Sequence, residues 1–148
     1  GAHVVWGRLF RPHGPGEPAA RLLPSLLRAL DAGRDFACTH GNQIRDFIYV
    51  EDLALSIARL LDSPFNGVVN LASGEPRSLR SVVDHFAGLL GRKDLVRFGA
   101  LAASGVDDDP FIVADTTRLR SLVGTEGILG WEEGARRTVQ WRHRQMPC

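Results

Sequence analysis

Eight consecutive residues near the start of the chain, Arg11-Pro12-His13-Gly14-Pro15-Gly16-Glu17-Pro18, hold three prolines and two glycines. Proline removes a backbone donor and fixes φ, and glycine brings no side chain to pack, so this run continues neither a helix nor a strand. The chain is divided early. Before the run, Val4-Val5-Trp6-Gly7-Arg8-Leu9-Phe10 is apolar and β-branched at its start and reads as a strand feeding a rigid loop. After it, Leu22, Leu23, Leu26, Leu27 and Leu30 recur three and four apart. That is the spacing of one buried helix face, with Pro24 in its first turn and Gly33 as its terminator.

The same alternation continues. Phe36-Ala37-Cys38-Thr39 reads as a short strand, Gly41-Asn42 as a turn, and Ile44 to Val50 as a strand of imperfect alternation. A helix is expected from about Glu51, where Glu51 and Asp52 suit the positive end of the dipole and Leu53, Ile57, Leu60 and Leu61 form the stripe; Pro64 closes it. Gly67 to Ala72 is a buried-strand pattern, punctuated by Ser73-Gly74-Glu75-Pro76. Ser78 then caps a helix carrying Leu79, Val82, Val83, Phe86, Leu89 and Leu90, which Gly91 ends. Leu95 to Phe98 and Phe111 to Ala114 are further strand candidates on either side of a loop with Asp107-Asp108-Asp109. Asp115 caps a short helix through Leu122, and Trp131 precedes a last helix holding Ala135, Val139 and Trp141. The expected fold class is α/β, with short strands and amphipathic helices and no glycine-rich loop joining a leading strand to a helix. The chain thus has no dinucleotide fingerprint of its own.

At 148 residues and 44% apolar content the chain has enough for one core and one domain. Eighteen basic against 17 acidic residues give a net charge of +1, so no long-range field recruits nucleic acid or an anionic membrane, and any anion must be bound locally. Seventeen of the 18 basic residues are arginine, a bias that coding composition explains as well as anion binding does. No apolar run reaches bilayer length. Cys38 and Cys148 are too few for a disulfide framework or a zinc site and favour a reducing, cytoplasmic compartment. Gly1 to His3 fit a cloning remnant.

Arg45, at the start of a strand just after the Gly-Asn turn, offers a planar fork of five donors that matches phosphate oxygens; the plainer role is a surface pair with Asp46 or Glu51. Gln43 and Asn42 could add amide contacts, although turn chemistry accounts for Asn42. His13 in the Pro/Gly loop would titrate near neutrality, solvated or catalytic, and His40 has the same standing. Asp107, Asp108, Asp109 and Asp115 lack calcium-loop spacing and read as a solvated loop plus one helix cap. Ser73 lacks the paired glycine of a nucleophile elbow, Cys38 reads as a small buried hydrophobe, and Trp6, Trp131 and Trp141 read as packing or subunit-contact residues.

Taken together, Trp6 to Glu17, Leu23 to Leu30, Gly41 to Asp52 and Gly67 to Gly74 resemble, in order and separation, the C-terminal part of the NAD-dependent epimerase/dehydratase family. These are the extended short-chain dehydrogenases acting on nucleotide sugars. Ala114-Asp115-Thr116-Thr117-Arg118-Leu119 resembles that family's closing segment, so the likeness runs over residues 4–148. Its most specific piece is the arginine-aspartate-aromatic block at Arg45-Asp46-Phe47.

The resemblance implies that residues 4–148 are the substrate-binding portion of a longer epimerase, dehydratase or 4-ketoreductase using NAD or NADP. The family's cofactor loop and its catalytic tyrosine and lysine, four residues apart, would lie upstream of Val4. The only tyrosine here is Tyr49 and the only lysine Lys93, so this chain alone is expected neither to bind the cofactor tightly nor to transfer hydride. By the same resemblance Arg45 grips the diphosphate of a nucleoside diphosphate sugar; the Gln43 amide is a candidate contact to its base or sugar. Ala37-Cys38-Thr39 packs against the base, Leu23 to Leu27 borders the cleft, and the loop through His13 faces the sugar. Many relatives have tyrosine at His13 and asparagine at Arg11. A second phosphate-gripping arginine would fall near Gly105, so Arg97 or Arg118 would have to replace it. A noncatalytic interaction domain that kept the fold is the alternative. If the strand Val4 to Phe10 presents an open apolar edge, a homo-oligomer or strand-exchanged dimer is expected.

Overall fold

The computed structural model describes residues 3–102 and 109–145. The expected acidic residues Asp107 and Asp108, the segment Ser104-Gly105-Val106, Cys148 and the first two residues lie outside that range.

The first strand, β1 (Val5–Leu9), runs parallel to β5 (Gly67–Leu71), with Val5 opposite Gly67 and Leu9 opposite Leu71. One residue later the chain leaves that sheet. Arg11–His13 forms a second strand, β2, parallel to β4 (Ile44–Tyr49), placing Arg11 opposite Phe47 and His13 opposite Tyr49. This corrects the expectation of an unpaired loop: β2 is an edge strand, and its Pro12 is tolerated at a sheet edge. The first half of β4 also takes β6 (Pro76–Ser78) antiparallel and β8 (Phe111–Ile112) parallel. β6 was expected only as punctuation. A third pair joins β3 (Phe36–Cys38) to β7 (Val96–Phe98), in parallel.

Among the described residues five α-helices cover these strands: α1 (Leu22–Asp31), α2 (Val50–Leu61), α3 (Leu79–Leu89), α4 (Thr117–Val123) and α5 (Gly130–Gln145). Ser78 caps α3 as expected, its Oγ accepting from the Ser81 N–H at 3.0 Å. Asp115 accepts from the Thr117 N–H at 2.9 Å at the start of α4. Trp131 does not precede the last helix but sits in its first turn, 7% exposed.

The imperfect alternation of β4 has a physical cause, because both of its faces are buried. On one face Phe47 joins Leu23, Leu26 and Leu30 of α1, Val82 and Phe86 of α3, and Trp131 and Ala135 of α5. On the other, Ile48 joins Leu53, Leu60, Val69, Leu71 and Leu119. Each fully buried leucine of α1 contributes roughly 1.5–3 kcal/mol by removal from water. Helix α5 reaches β4 closely because residue 134 is glycine; a Cβ there would come within 2.6 Å of Tyr49 Cγ.

Candidate functional site

The sheet change between β1 and β2 turns a short stretch of chain into a wall. Arg8 near the end of β1 and Arg11 at the start of β2 flank Leu9-Phe10, Arg21 stands immediately before α1, and Arg45 projects from β4. All four arginines line one cleft of about 650 Å³, with Leu22, Asp46 and Ile112. Arg45 is 1% exposed and its Nη1 donates to the Ile44 carbonyl at 2.8 Å, so it is no surface side chain. Glu51 is engaged elsewhere, accepting from the Tyr49 hydroxyl at 3.0 Å and pairing with Arg137 at 2.9 Å.

Asp46, the one carboxylate lining the cleft among the described residues, is committed to the fold. Its Oδ1 accepts from the N–H and Oγ of Ser73 at 2.8 and 2.7 Å, and its Oδ2 from the Gly74 and Ala114 N–H groups at 2.9 and 3.2 Å. These bonds tie β4 to the β5–β6 turn and to the segment leading into α4. Among the described residues, four guanidiniums line the cleft beside this one saturated carboxylate, an arrangement suited to polyanionic oxygens.

Arg21 also lines an adjoining cavity of about 230 Å³, with Pro12, His13, Gly14, Glu17 and Val50. His13 is 1% exposed and caged by the rings of Tyr49, Trp131, Phe47 and Phe86, with centroids 5.1–6.4 Å away. Neither of its ring nitrogens has a hydrogen-bond partner. Burial, reinforced by the Arg77 charge, pushes its pKa down to about 4. The expectation that His13 titrates near neutrality is corrected: at neutral pH it is an uncharged imidazole in an aromatic cage. Glu17 is the group that titrates there, because burial pushes its carboxyl up to about 7 against the pull of Arg21, and its Oε2 is buried without a partner. Arg8, at the opposite flank, reaches a further cavity of about 340 Å³ with Asn70, Asp115 and Arg118.

Of the residues singled out in the sequence, Arg45 stands in the cleft and His13 in the adjoining cavity. Leu23 is 1% exposed and belongs to the core, while its neighbour Leu22 lines the cleft. Cys38 is buried, its thiol 3.7 Å from the Arg97 carbonyl and pushed to higher pKa by burial, which suits an inert thiol. The Thr39 carbonyl accepts from the Gly99 N–H, and the Gln43 carbonyl from the Leu79 N–H, while Gln43 Oε1 is buried without a partner. None of these three lines the arginine cleft. Nor do the expected replacement arginines: Arg97 pairs with Asp35 at 3.0 Å, and Arg118 donates to the Val68 carbonyl at 2.6 Å. The arginines that share the cleft with Arg45 are Arg8, Arg11 and Arg21. The sequence signal for them was an arginine at each joint of the strand, loop and helix, which composition bias had masked.

β1 passes into β2 and β4 runs directly into α2, so neither delivers a glycine-rich turn to a helix N-terminus. Tyr49, 2% exposed and pushed up to about 12 by burial and by its bond to Glu51, is fixed in the core, and Lys93 lies in a 3-10 turn after α3. Among the described residues no cluster of three or more His, Cys, Asp or Glu side chains could hold a metal, and no helix is long and apolar enough to cross a membrane.

Comparison with known proteins follows the same line. The sequence profile described as the NAD dependent epimerase/dehydratase family matches residues 1–72. UDP-N-acetyl-alpha-D-glucosaminuronate decarboxylase of Bacillus cytotoxicus is 28% identical over 143 residues, covering 93% of this chain and 44% of that protein. dTDP-4-dehydro-6-deoxy-D-allose reductase of Streptomyces bikiniensis is 30% identical over 144 residues, with coverages of 92% and 43%. Among solved structures, UDP-N-acetylglucosamine 4-epimerase from Methanobrevibacter ruminantium M1 in complex with UDP-N-acetylmuramic acid matches with a TM-score of 0.82 at 28% identity, over 96% of this chain and 46% of that one. MoeE5 in complex with UDP-glucuronic acid and NAD matches with a TM-score of 0.82 at 25% identity, over 97% and 48%. The chain thus spans less than half the length of these relatives.

Proposed function

We propose that this chain, a relative of the NAD-dependent epimerases and dehydratases with the extended short-chain dehydrogenase fold, is the nucleotide-sugar-binding portion of an epimerase, dehydratase or 4-ketoreductase. The observation that carries this reading is the convergence of Arg8, Arg11 and Arg21 on the buried Arg45 in one cleft. A diphosphate diester presents its charged oxygens in a small volume, and guanidinium forks meet such oxygens two at a time. The ligand is a nucleoside diphosphate sugar with its phosphates against Arg45 and Arg21 and its sugar toward the His13 cavity. NAD or NADP serves the parent enzyme, at residues other than those described here, and its setting is the cytoplasm. Turnover of a nucleotide sugar that copurified with this chain in the presence of added NAD would overturn the assignment of binding without hydride transfer.

Calorimetric titration with a nucleoside diphosphate sugar tests the phosphate role. Arg45→Ala should lower affinity by about 10- to 100-fold through loss of a charge-assisted contact, and Arg45→Lys should restore only part, keeping the charge but not the fork. Circular dichroism confirms that the variants fold; equal affinities in folded wild type and both variants refute the role.

The open side of β1 supports self-association as part of the same proposal. Trp6 and Leu9 of β1 are 68% and 56% exposed and Val4 just before it 59%, and β1 pairs only with β5 among the described residues. Such an edge is a template for a second strand. Sedimentation should show mass rising with concentration, and a monomer at every concentration would remove the dimer.

A further inference from the structure

The arginine cleft and the His13 cavity share a side chain. Arg21 lines both, and its charge acts on Glu17, whose Oε2 is buried without a hydrogen-bond partner beside the smaller cavity. Among the described residues, the charged or titratable groups lining that cavity of about 230 Å³ are Arg21 before α1, Glu17 itself and His13 of β2. His13 is 1% exposed, uncharged at neutral pH under its own burial and the Arg77 charge, and lacks a partner at both nitrogens. Helix α2 contributes only Val50, and the rest of the wall is proline and glycine.

One guanidinium cannot serve two anions at full strength. Burial holds the Glu17 carboxyl up to about 7, and the Arg21 charge is what pulls against it. A diphosphate seated in the arginine cleft takes up the Arg21 fork and adds negative charge beside Glu17, and both changes favour the protonated carboxyl. Resting on the nucleotide-sugar reading above, we propose that Arg21 couples the two cavities: phosphates on its fork leave Glu17 protonated, and the neutral carboxyl donates a hydrogen bond to an oxygen of the sugar. An ionised carboxyl has no proton to give and would repel the phosphates. The uncharged His13 presents one nitrogen donor and one nitrogen acceptor to the same ring. The sugar end is thus read by neutral groups, and near neutral pH binding draws a proton from solvent onto Glu17.

Carbon-13 NMR of the side-chain carboxyls from pH 5 to 9 follows Glu17 directly, its signal assigned by its loss in Glu17→Gln. In the free chain Glu17 should titrate at about 7. Saturated with UDP-glucose or dTDP-glucose it should titrate about one pH unit higher, which corresponds to about tenfold weaker binding to the ionised form. Free Arg21→Gln, shown to fold by circular dichroism, should already titrate above wild type, because the opposing charge is gone. In calorimetry wild type should lose about five- to tenfold in affinity between pH 6 and pH 8.5, whereas Glu17→Gln, which keeps a donor but cannot titrate, should stay constant to within about twofold. At pH 6 Glu17→Ala, with no donor, should bind at least roughly threefold more weakly than Glu17→Gln. A Glu17 titration that stays in place when the nucleotide sugar binds, or when Arg21 becomes Gln, overturns the coupling and leaves the diphosphate site standing. Equal affinities of Glu17→Ala and Glu17→Gln at pH 6 overturn the bond to the sugar. Failure of both nucleotide sugars to bind wild type at pH 6 would remove the proposed function itself.

Discussion

The two halves of β4 treat buried polar groups in opposite ways. In the first half, Asp46 receives four hydrogen bonds from three residues of two neighbouring segments. Asp52, just beyond the strand, is closed in the same manner by the Leu129 and Gly130 N–H groups at 2.8 and 3.0 Å. In the second half, Tyr49 stands opposite His13, whose two nitrogens are buried without partners, and the neighbouring Glu17 keeps one buried oxygen unbonded. A carboxylate whose two oxygens both accept from backbone N–H groups is a clamp, since its bonds hold the chain. An imidazole and a carboxyl oxygen buried beside a cavity without hydrogen-bond partners clamp no segment, and their pKa values move chiefly by desolvation, which the Arg77 charge reinforces at His13 and the Arg21 charge only partly offsets at Glu17.

The largest expected effect breaks the clamp. Asp46→Ala leaves the Ser73, Gly74 and Ala114 N–H groups buried without an acceptor, so it should destabilise the protein by about 3–5 kcal/mol and lower the Tm by about 6–20 °C. Thermal unfolding of the variant checks it. A loss as small as that of an exposed aspartate would show that the turn and the segment before α4 hold without it.

The second effect sharpens the other half. His13 has a native pKa of about 4 against an ordinary value of 6.5, so the unfolded chain binds more protons between those limits and stability falls as pH drops through that window. The shift corresponds to roughly 2–4 kcal/mol. His13→Phe should remove this acid-side slope and gain stability near neutrality; denaturant unfolding from pH 7 to 4 measures it, and an unchanged slope would place the acid sensitivity elsewhere.

The smallest effect has the opposite sign. Glu17 has its native value raised to about 7 from 4.5, so the native state binds more protons and this contribution is lost as pH rises through that window. Glu17 is only half-buried, and solvent screens the effect. Glu17→Gln should flatten the stability profile on this side without shifting the His13 slope. Because the two slopes overlap and oppose each other between 4.5 and 6.5, the double variant should be flatter than either single one.

Much of the fold was legible because local physics writes it into short windows. The four buried leucines of α1, the Ser78 cap and the glycine after α3 are one-element features, and each stands where spacing and capping put it. The exceptions share a cause. Arg11–His13 and Pro76–Ser78 are strands only because β4 lies beside them, and no window of three residues carries that information. Ala114 was expected to end a strand; its N–H instead serves the Asp46 carboxylate.

The candidate site was less legible. Arg45 could be singled out from its place after a turn and from the block around it, but its neighbours in the cleft come from residues 8, 11 and 21, on three different elements. Leu23 and Leu22 show the limit plainly. Both belong to the apolar pattern of α1, yet rotation of the helix by one residue decides which enters the core and which meets the cleft.

By itself, then, the sequence determined what depends on near neighbours: the helices and their stops, the main strands, and the candidacy of Arg45. Only the tertiary structure decided what depends on distant partners. It left His13 uncharged, moved the near-neutral titration to Glu17, spent Asp46 on the fold and gathered four arginines into one cleft. Periodicity is a property of a single segment, whereas desolvation and charge density are set by whatever other segments pack against it.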